Sequence, residues 1–255
     1  MDRHFFQGIK QWEISREGFE GKLPVFYYDT TSLTAIYTAS TNRVEKLLPL
    51  PQMKPIEMVP GRCLVAFTAF EYRQTDIDAY NEFSIAFLVT YDKPVIPFAT
   101  AAALMAQRKF TAYVWQLPVT TEVARVGGVE FYGYPKFIAD IEFRKEPHQI
   151  TCNLSENGEK ILSLTGSVLP TKKEKHARYV TYSVCENIPL VTNIFINPIE
   201  MGQSRNKKAV SLEIGTDHSI SEALQDIGLS QFPVQYQYSP LNQGILFPGR
   251  NMIDD

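Results

Sequence analysis

Lys136 follows Tyr134-Pro135 inside a run of aromatic rings made by Phe131, Tyr132, Tyr134 and Phe137. An amine held out of water there loses much of its preference for the charged form and becomes a nucleophile near neutral pH. Imine formation with a carbonyl compound requires this. The competing reading is a lysine that snorkels, with its stem on the rings and its ammonium in water.

Around that lysine, Gly128-Val129-Glu130-Phe131-Tyr132-Gly133-Tyr134-Pro135-Lys136 resembles the active-site motif of the acetoacetate decarboxylase family, G-x-E-x-x-x-Y/F-P-K, whose lysine forms a Schiff base with the substrate ketone. Tyr80-Asn81-Glu82, ahead of the apolar run Ser84 to Val89, is similar to the family's Y-x-E, which supplies an active-site carboxylate. Ile36-Tyr37 followed by Val44-Glu45-Lys46-Leu47-Leu48-Pro49 resembles its early strand and helix. The similarity runs from about residue 30 to about residue 145. It implies a cone-shaped β-barrel with Lys136 inside, a homo-oligomer, a small keto-acid substrate and no cofactor. It also implies that Glu82 orients the carbinolamine or moves its proton, and that Glu130 positions the lysine-bearing segment.

Three departures from the family pattern bear on the chemistry. The family's decarboxylases carry a second lysine straight after the nucleophile, where its charge activates the first; here that residue is Phe137, so desolvation by Phe131, Tyr132, Tyr134 and Phe137 must keep the amine neutral. By gapless counting the family's second active-site glutamate falls on Phe67, with Glu71 four residues on and on the same strand face. The family's arginine falls on Thr30, which leaves Arg125 as a candidate replacement cation.

For a β-keto acid, an imine on Lys136 accepts the electrons of the breaking C–C bond, so that carbon dioxide leaves and an enamine remains to be protonated. The same lysine would serve an aldolase-dehydratase acting on pyruvate and an aldehyde. A barrel that binds small molecules without catalysis is the third reading.

The elements that must position these groups are mostly strands. Val25 to Tyr28, Leu33 to Thr38, Cys63 to Tyr72, Ser84 to Tyr91 and Thr111 to Val119 are β-rich, which places Glu82 at a strand entrance. Asn42 to Leu48 reads as a short helix capped by Asn42, with Glu45 at its third position. Thr121 to Val126 starts like a helix that Gly127-Gly128 should stop or loosen. Pro135 biases Tyr134 toward an extended backbone, so Lys136 should emerge where a helix or turn hands over to a strand from Phe137 to Phe143.

Gln149 to Glu156 and Glu159 to Val168 form a hairpin on Asn157-Gly158, whose residues suit a type I′ turn. Strands follow at Arg178 to Glu186, Leu190 to Ile196 and Ala209 to Ile214. Ser219 to Glu222 reads as a capping box for a helix ending at Gly228, and Val234, Tyr236 and Tyr238 alternate with glutamines as a half-buried strand. The pattern predicts one β-dominated α+β domain over residues 1–255, a curved antiparallel sheet closing into a barrel with a few short helices.

Composition narrows the function class. With 255 residues and a net charge of −3, and with Lys and Arg dispersed, the chain offers no basic field for nucleic acid. No window reaches a transmembrane span and the first residues lack an apolar signal-peptide core. Cys63, Cys152 and Cys185 are odd in number and widely spaced, which reads as three reduced thiols in a cytoplasmic protein. The four histidines form no ligand pair at helix or strand spacing, so no metal site is expected.

Overall fold

Alternating β-branched and aromatic residues put strands nearly everywhere in the chain, and the computed structural model, described for residues 2–16 and 19–253, follows that pattern. A 3₁₀ turn at Arg3–Phe6 precedes β1 (Trp12–Arg16) and β2 (Phe19–Leu23), which form a two-stranded sheet of their own among the described residues. Then come β3 (Val25–Ser40), α1 (Thr41–Glu45), β4 (Met53–Pro55), β5 (Glu57–Val59), β6 (Arg62–Thr75) and β7 (Tyr80–Tyr91). Helix α2 (Ala99–Ala106), β8 (Lys109–Gln116), α3 (Glu122–Tyr132) and β9 (Asp140–Lys145) follow. The hairpin β10 (Gln149–Glu156) and β11 (Glu159–Ser167) precedes β12 (Ala177–Cys185), β13 (Ile188–Ser204) and β14 (Val210–Ile214). The chain finishes with α4 (Ser219–Asp226), β15 (Gln235–Leu246) and β16 (Arg250–Asn251).

Seven strands close on themselves in the order β3, β6, β7, β8, β12, β13, β15 and back to β3. Every pairing in the ring is antiparallel except β8 with β12, so the barrel is mixed rather than purely antiparallel. Closure removes the exposed edges that a long sheet would otherwise present. A separate four-stranded sheet, β14-β11-β10-β9, packs against the barrel.

The strands bury residues on both faces. Phe67, Phe83, Ile85 and Phe87 join Cys152, Leu154, Ile161 and Leu162 of the four-stranded sheet in the larger core. Tyr72, Tyr80, Val114 and Ile194 join α3 and the β1–β2 pair in a second core. Because side chains alternate along a strand, these two cores lie on opposite faces of β6 and β7. Among the described residues no helix is long and apolar enough to cross a membrane.

Several sequence-based boundaries shift for identifiable reasons. The two segments expected within residues 25–38 are one strand. Helix α1 starts at Thr41, whose N–H bonds the Gly61 carbonyl and whose hydroxyl donates to Glu57, so Asn42 lies within the helix instead of capping it. The strand expected to reach Val119 stops at Gln116, just ahead of Pro118, which has no N–H to give a ladder. Helix α4 is capped by His218, whose Nδ1 accepts from Ile220 N–H while Nε2 faces Glu156, so Ser219 is its first residue. The Asn157-Gly158 turn has φ of 52° and 83°, the paired positive values of a type I′ turn.

Candidate active site

Helix α3 does not stop at Gly127-Gly128. It runs on to Tyr132 and ends at Gly133, whose φ of 58° lets its N–H turn back to the Val129 carbonyl. The two glycines are contact points. A Cβ at Gly127 would sit 2.6 Å from the ring of Phe19, and one at Gly128 would overlap Cδ and Cε of Lys136 and stand 3.1 Å from Nζ. The helical cost of a glycine pair, about 1 kcal/mol each, is outweighed by this close packing. Gly128→Ala is therefore expected to displace the Lys136 stem and cost roughly 10²-fold in turnover, the scale of a misplacement of about 1 Å. Steady-state kinetics beside a circular dichroism spectrum checks it.

Beyond the helix, residues 134–139 lie extended along residues 117–119. Val119 N–H bonds the Phe137 carbonyl, and Ala139 N–H bonds the Val119 carbonyl, so regular β9 begins only at Asp140, later than expected. Val119 also bridges Glu82 of β7, so one short segment fixes both the lysine and the glutamate. Extended backbone sends Lys136 and Phe137 to opposite sides. Lys136 lies against Gly128, whereas Phe137 packs on the larger core. Phe137 is therefore not a wall of the lysine's surroundings, and a second charge placed there would point away.

Lys136 Nζ donates to Glu82 Oε2 at 2.7 Å, and the two side chains are 6% and 8% exposed. Tyr72 hydroxyl donates to the other carboxylate oxygen, Oε1, at 3.1 Å. The Tyr80 ring centroid lies 5.6 Å from the ammonium, within cation–π range, and its hydroxyl shares a 3.2 Å hydrogen bond with Tyr27. Tyr132 and Tyr134 stack at 5.5 Å, and Tyr134 hydroxyl meets Thr181 Oγ1 at 2.6 Å.

Burial raises all five phenols. Glu82's charge adds to burial at Tyr72, Tyr80 and Tyr27, whereas Thr181 partly offsets it at Tyr134, which is pushed up to about 12. These hydroxyls therefore stay protonated at working pH and can donate hydrogen bonds.

The remaining sequence candidates fall elsewhere. Phe67 pairs with Ile85 across the sheet and meets Tyr37 edge-on, in the core on the face opposite Glu82. Glu71 opposes Asn81 and shares that opposite face, where it is held by Lys145 at 2.6 Å and Arg73 at 3.0 Å. Neither replaces a second glutamate beside the lysine. Arg125 pairs with Glu122 on the same turn of α3, at the solvent side, and does not supply the missing cation. Glu130 is half-buried on α3, and Phe131 packs edge-on against Phe19.

Burial opposes the charge on Glu71, yet Lys145 and Arg73 outweigh it and hold the carboxyl below its usual range. Glu71→Gln should thus lower the melting temperature slightly at neutral pH. With the folded value depressed, the difference persists above the ordinary carboxylate range and vanishes as pH falls through the lower folded value, which melting curves across acid pH would show.

Sequence reasoning missed Tyr27, Tyr72, Thr181 and the packing role of Gly128. Their only advance signal is the alternation that puts Tyr72 opposite Tyr80 in the β6–β7 register. A surface hollow of about 560 Å³ lies instead at the β1–β2 pair, lined by Glu13, Ile14, Glu20, Lys22 and Asp76, and contains none of the groups around Lys136.

Residues 13–242 match the family model described as acetoacetate decarboxylase. No curated protein sequence matches the chain. A solved acetoacetate decarboxylase aligns at 14% identity and a TM-score of 0.62, covering 90% of this chain and 89% of that one. Acetoacetate decarboxylase from Legionella pneumophila aligns at 13% identity and 0.63, covering 98% and 94%. The enduracididine biosynthesis enzyme MppR, complexed with the condensation product of pyruvate and imidazole 4-carboxaldehyde, aligns at 12% and 0.61, covering 89% of each chain. At these identities the structural likeness establishes the fold.

Proposed function

This chain belongs to the acetoacetate decarboxylase family, and from that premise we propose that it is a carbon–carbon lyase that works through an imine on Lys136 and decarboxylates a small β-keto acid. The observation that carries the reading is the buried 2.7 Å contact between Lys136 Nζ and Glu82 Oε2.

Glu82 takes a proton from the ammonium, and the freed amine adds to the substrate ketone. The carbinolamine loses water as Glu82 returns the proton, which leaves a protonated imine. The electrons of the bond to the carboxylate then pass into the C=N unit, so carbon dioxide departs and a neutral enamine remains. Protonation of the enamine carbon restores the imine, and water releases the ketone and the amine. Glu82 is placed for each transfer at nitrogen, and Tyr72 holds its second oxygen. The tyrosine rings around the pair exclude water while the enamine exists.

A second reading, aldol condensation and dehydration of pyruvate with an aldehyde, is favoured by two observations: Phe137 follows Lys136 where the family's decarboxylases carry a second lysine and packs on the other core, and the fold resembles that of MppR as closely as that of the decarboxylases. Carbon dioxide release from acetoacetate supports the first reading. An enone formed from pyruvate and an aldehyde supports the second, and neither product leaves a barrel that binds without catalysis.

A further inference from the structure

Tyr27, Tyr72, Tyr80 and Tyr134 lie around Lys136 and Glu82, Tyr132 stacks on Tyr134 behind them, and the first four have partners for their hydroxyls. Tyr72 donates to Glu82, Tyr27 and Tyr80 share a hydrogen bond, and Tyr134 meets Thr181. The fifth, Tyr132, is 3% exposed and its hydroxyl has no hydrogen-bond partner among the described residues. Buried hydroxyls are almost always paired, so this one points to a group that arrives with the substrate.

Its position fits that role. Tyr132 lies one turn beyond Gly128 on the same face of α3, and helical side chains lean toward the N-terminus. Its ring therefore leans back over the turn where Gly128 makes room for the Lys136 stem. Thr192, opposite Thr181 on β13 and fully buried, sits with Thr181 beside the Tyr134 hydroxyl. The charges of Lys136 and Glu82 balance each other, and Arg125 is taken by Glu122. What the site still offers an anion is hydroxyl groups.

We infer that the Tyr132 hydroxyl donates to the carboxylate of the substrate and is a specificity-determining residue, which recognises the acid by a neutral donor in place of a cation. The inference rests on the imine at Lys136 proposed above. It also suits decarboxylation. A carboxylate held without a counter-charge loses its negative charge as its bond electrons neutralise the iminium, so the step relieves the uncompensated charge.

The test traps the imine with borohydride and reads the mass added to the Lys136 peptide, using pyruvate and acetone as probes. Tyr132→Phe removes only an unpaired hydroxyl, and it should lower the ratio of pyruvate to acetone labelling roughly tenfold, the effect of one lost hydrogen bond to a charged group. An unchanged ratio overturns the inference. Unmodified protein gives a second reading: after correction for their rates with a free amine, methyl pyruvate should label within about tenfold of pyruvate, because an ester carbonyl also accepts from a phenol. A larger preference for the acid would mean that a cation binds it, and the inference falls. Absence of labelling by every probe would instead remove the imine itself.

Discussion

Replacement of Lys136 by alanine is expected to abolish both borohydride-trapped labelling by keto acids and ketones and all turnover above background. The amine is the atom that becomes the imine, and among its neighbours no second lysine stands ready: Phe137 follows it in the chain and packs on the other core. The substitution has a structural cost as well. It leaves Glu82, 8% exposed, without its counter-charge. Removing one member of a buried ion pair costs about 3–5 kcal/mol, a fall in melting temperature of roughly 10 °C for a domain of this size. Lys136→Met, which keeps the volume of the stem, should be similarly inactive. The measurement is the mass of the tryptic peptide containing residue 136, alongside circular dichroism. A folded Lys136→Ala protein that still turns over acetoacetate would exclude the lysine as the nucleophile.

The lysine was legible in the sequence because its whole signal is local. Glycine, glutamate, tyrosine, proline and lysine lie within nine residues, and the left-handed turn at Gly133 and the extended Tyr134-Pro135 aim the side chain without help from distant chain. Glu82 was legible only through its motif, since the contact across 54 positions depends on barrel closure and on the Val119 bridge. The other family positions could not be carried over by counting. A strand alternates faces at every residue, so a count that lands on Phe67 and Glu71 selects the face of Ile85 and Asn81, one residue out of phase with Glu82. The same alternation turned Phe137 away from Lys136. Local propensity failed at Gly127-Gly128 for a different reason: glycine weakens a helix only modestly, and close approach by Phe19 and Lys136 decides the matter through tertiary packing. The tyrosines around the pair come from β3, β6, β7 and the segment after α3, and only the closed barrel brings them together.

Glu82→Gln is expected to slow turnover by roughly 10²-fold, the usual loss when a proton-transfer group is removed. Glutamine keeps the length of the side chain, and its amide oxygen can still accept from either Lys136 or Tyr72, so the backbone and the aromatic packing should persist. Two roles for the carboxylate then separate. If Glu82 acts only as a counter-charge, its loss removes no proton carrier, and imine labelling should run as fast as in the parent or faster. If Glu82 carries protons between amine, carbinolamine and water, both labelling and turnover slow together, because glutamine can neither take up nor return a proton. Its placement favours the second outcome. One oxygen is directed at Nζ at 2.7 Å and the other is held by Tyr72 at 3.1 Å, so the carboxylate is oriented toward the nitrogen at which every proton transfer of imine formation occurs. Parallel rates of labelling and turnover across the parent, Glu82→Gln and Glu82→Asp would decide between them. Labelling as fast in Glu82→Gln as in the parent, with turnover reduced, would confine the glutamate to the steps after the imine.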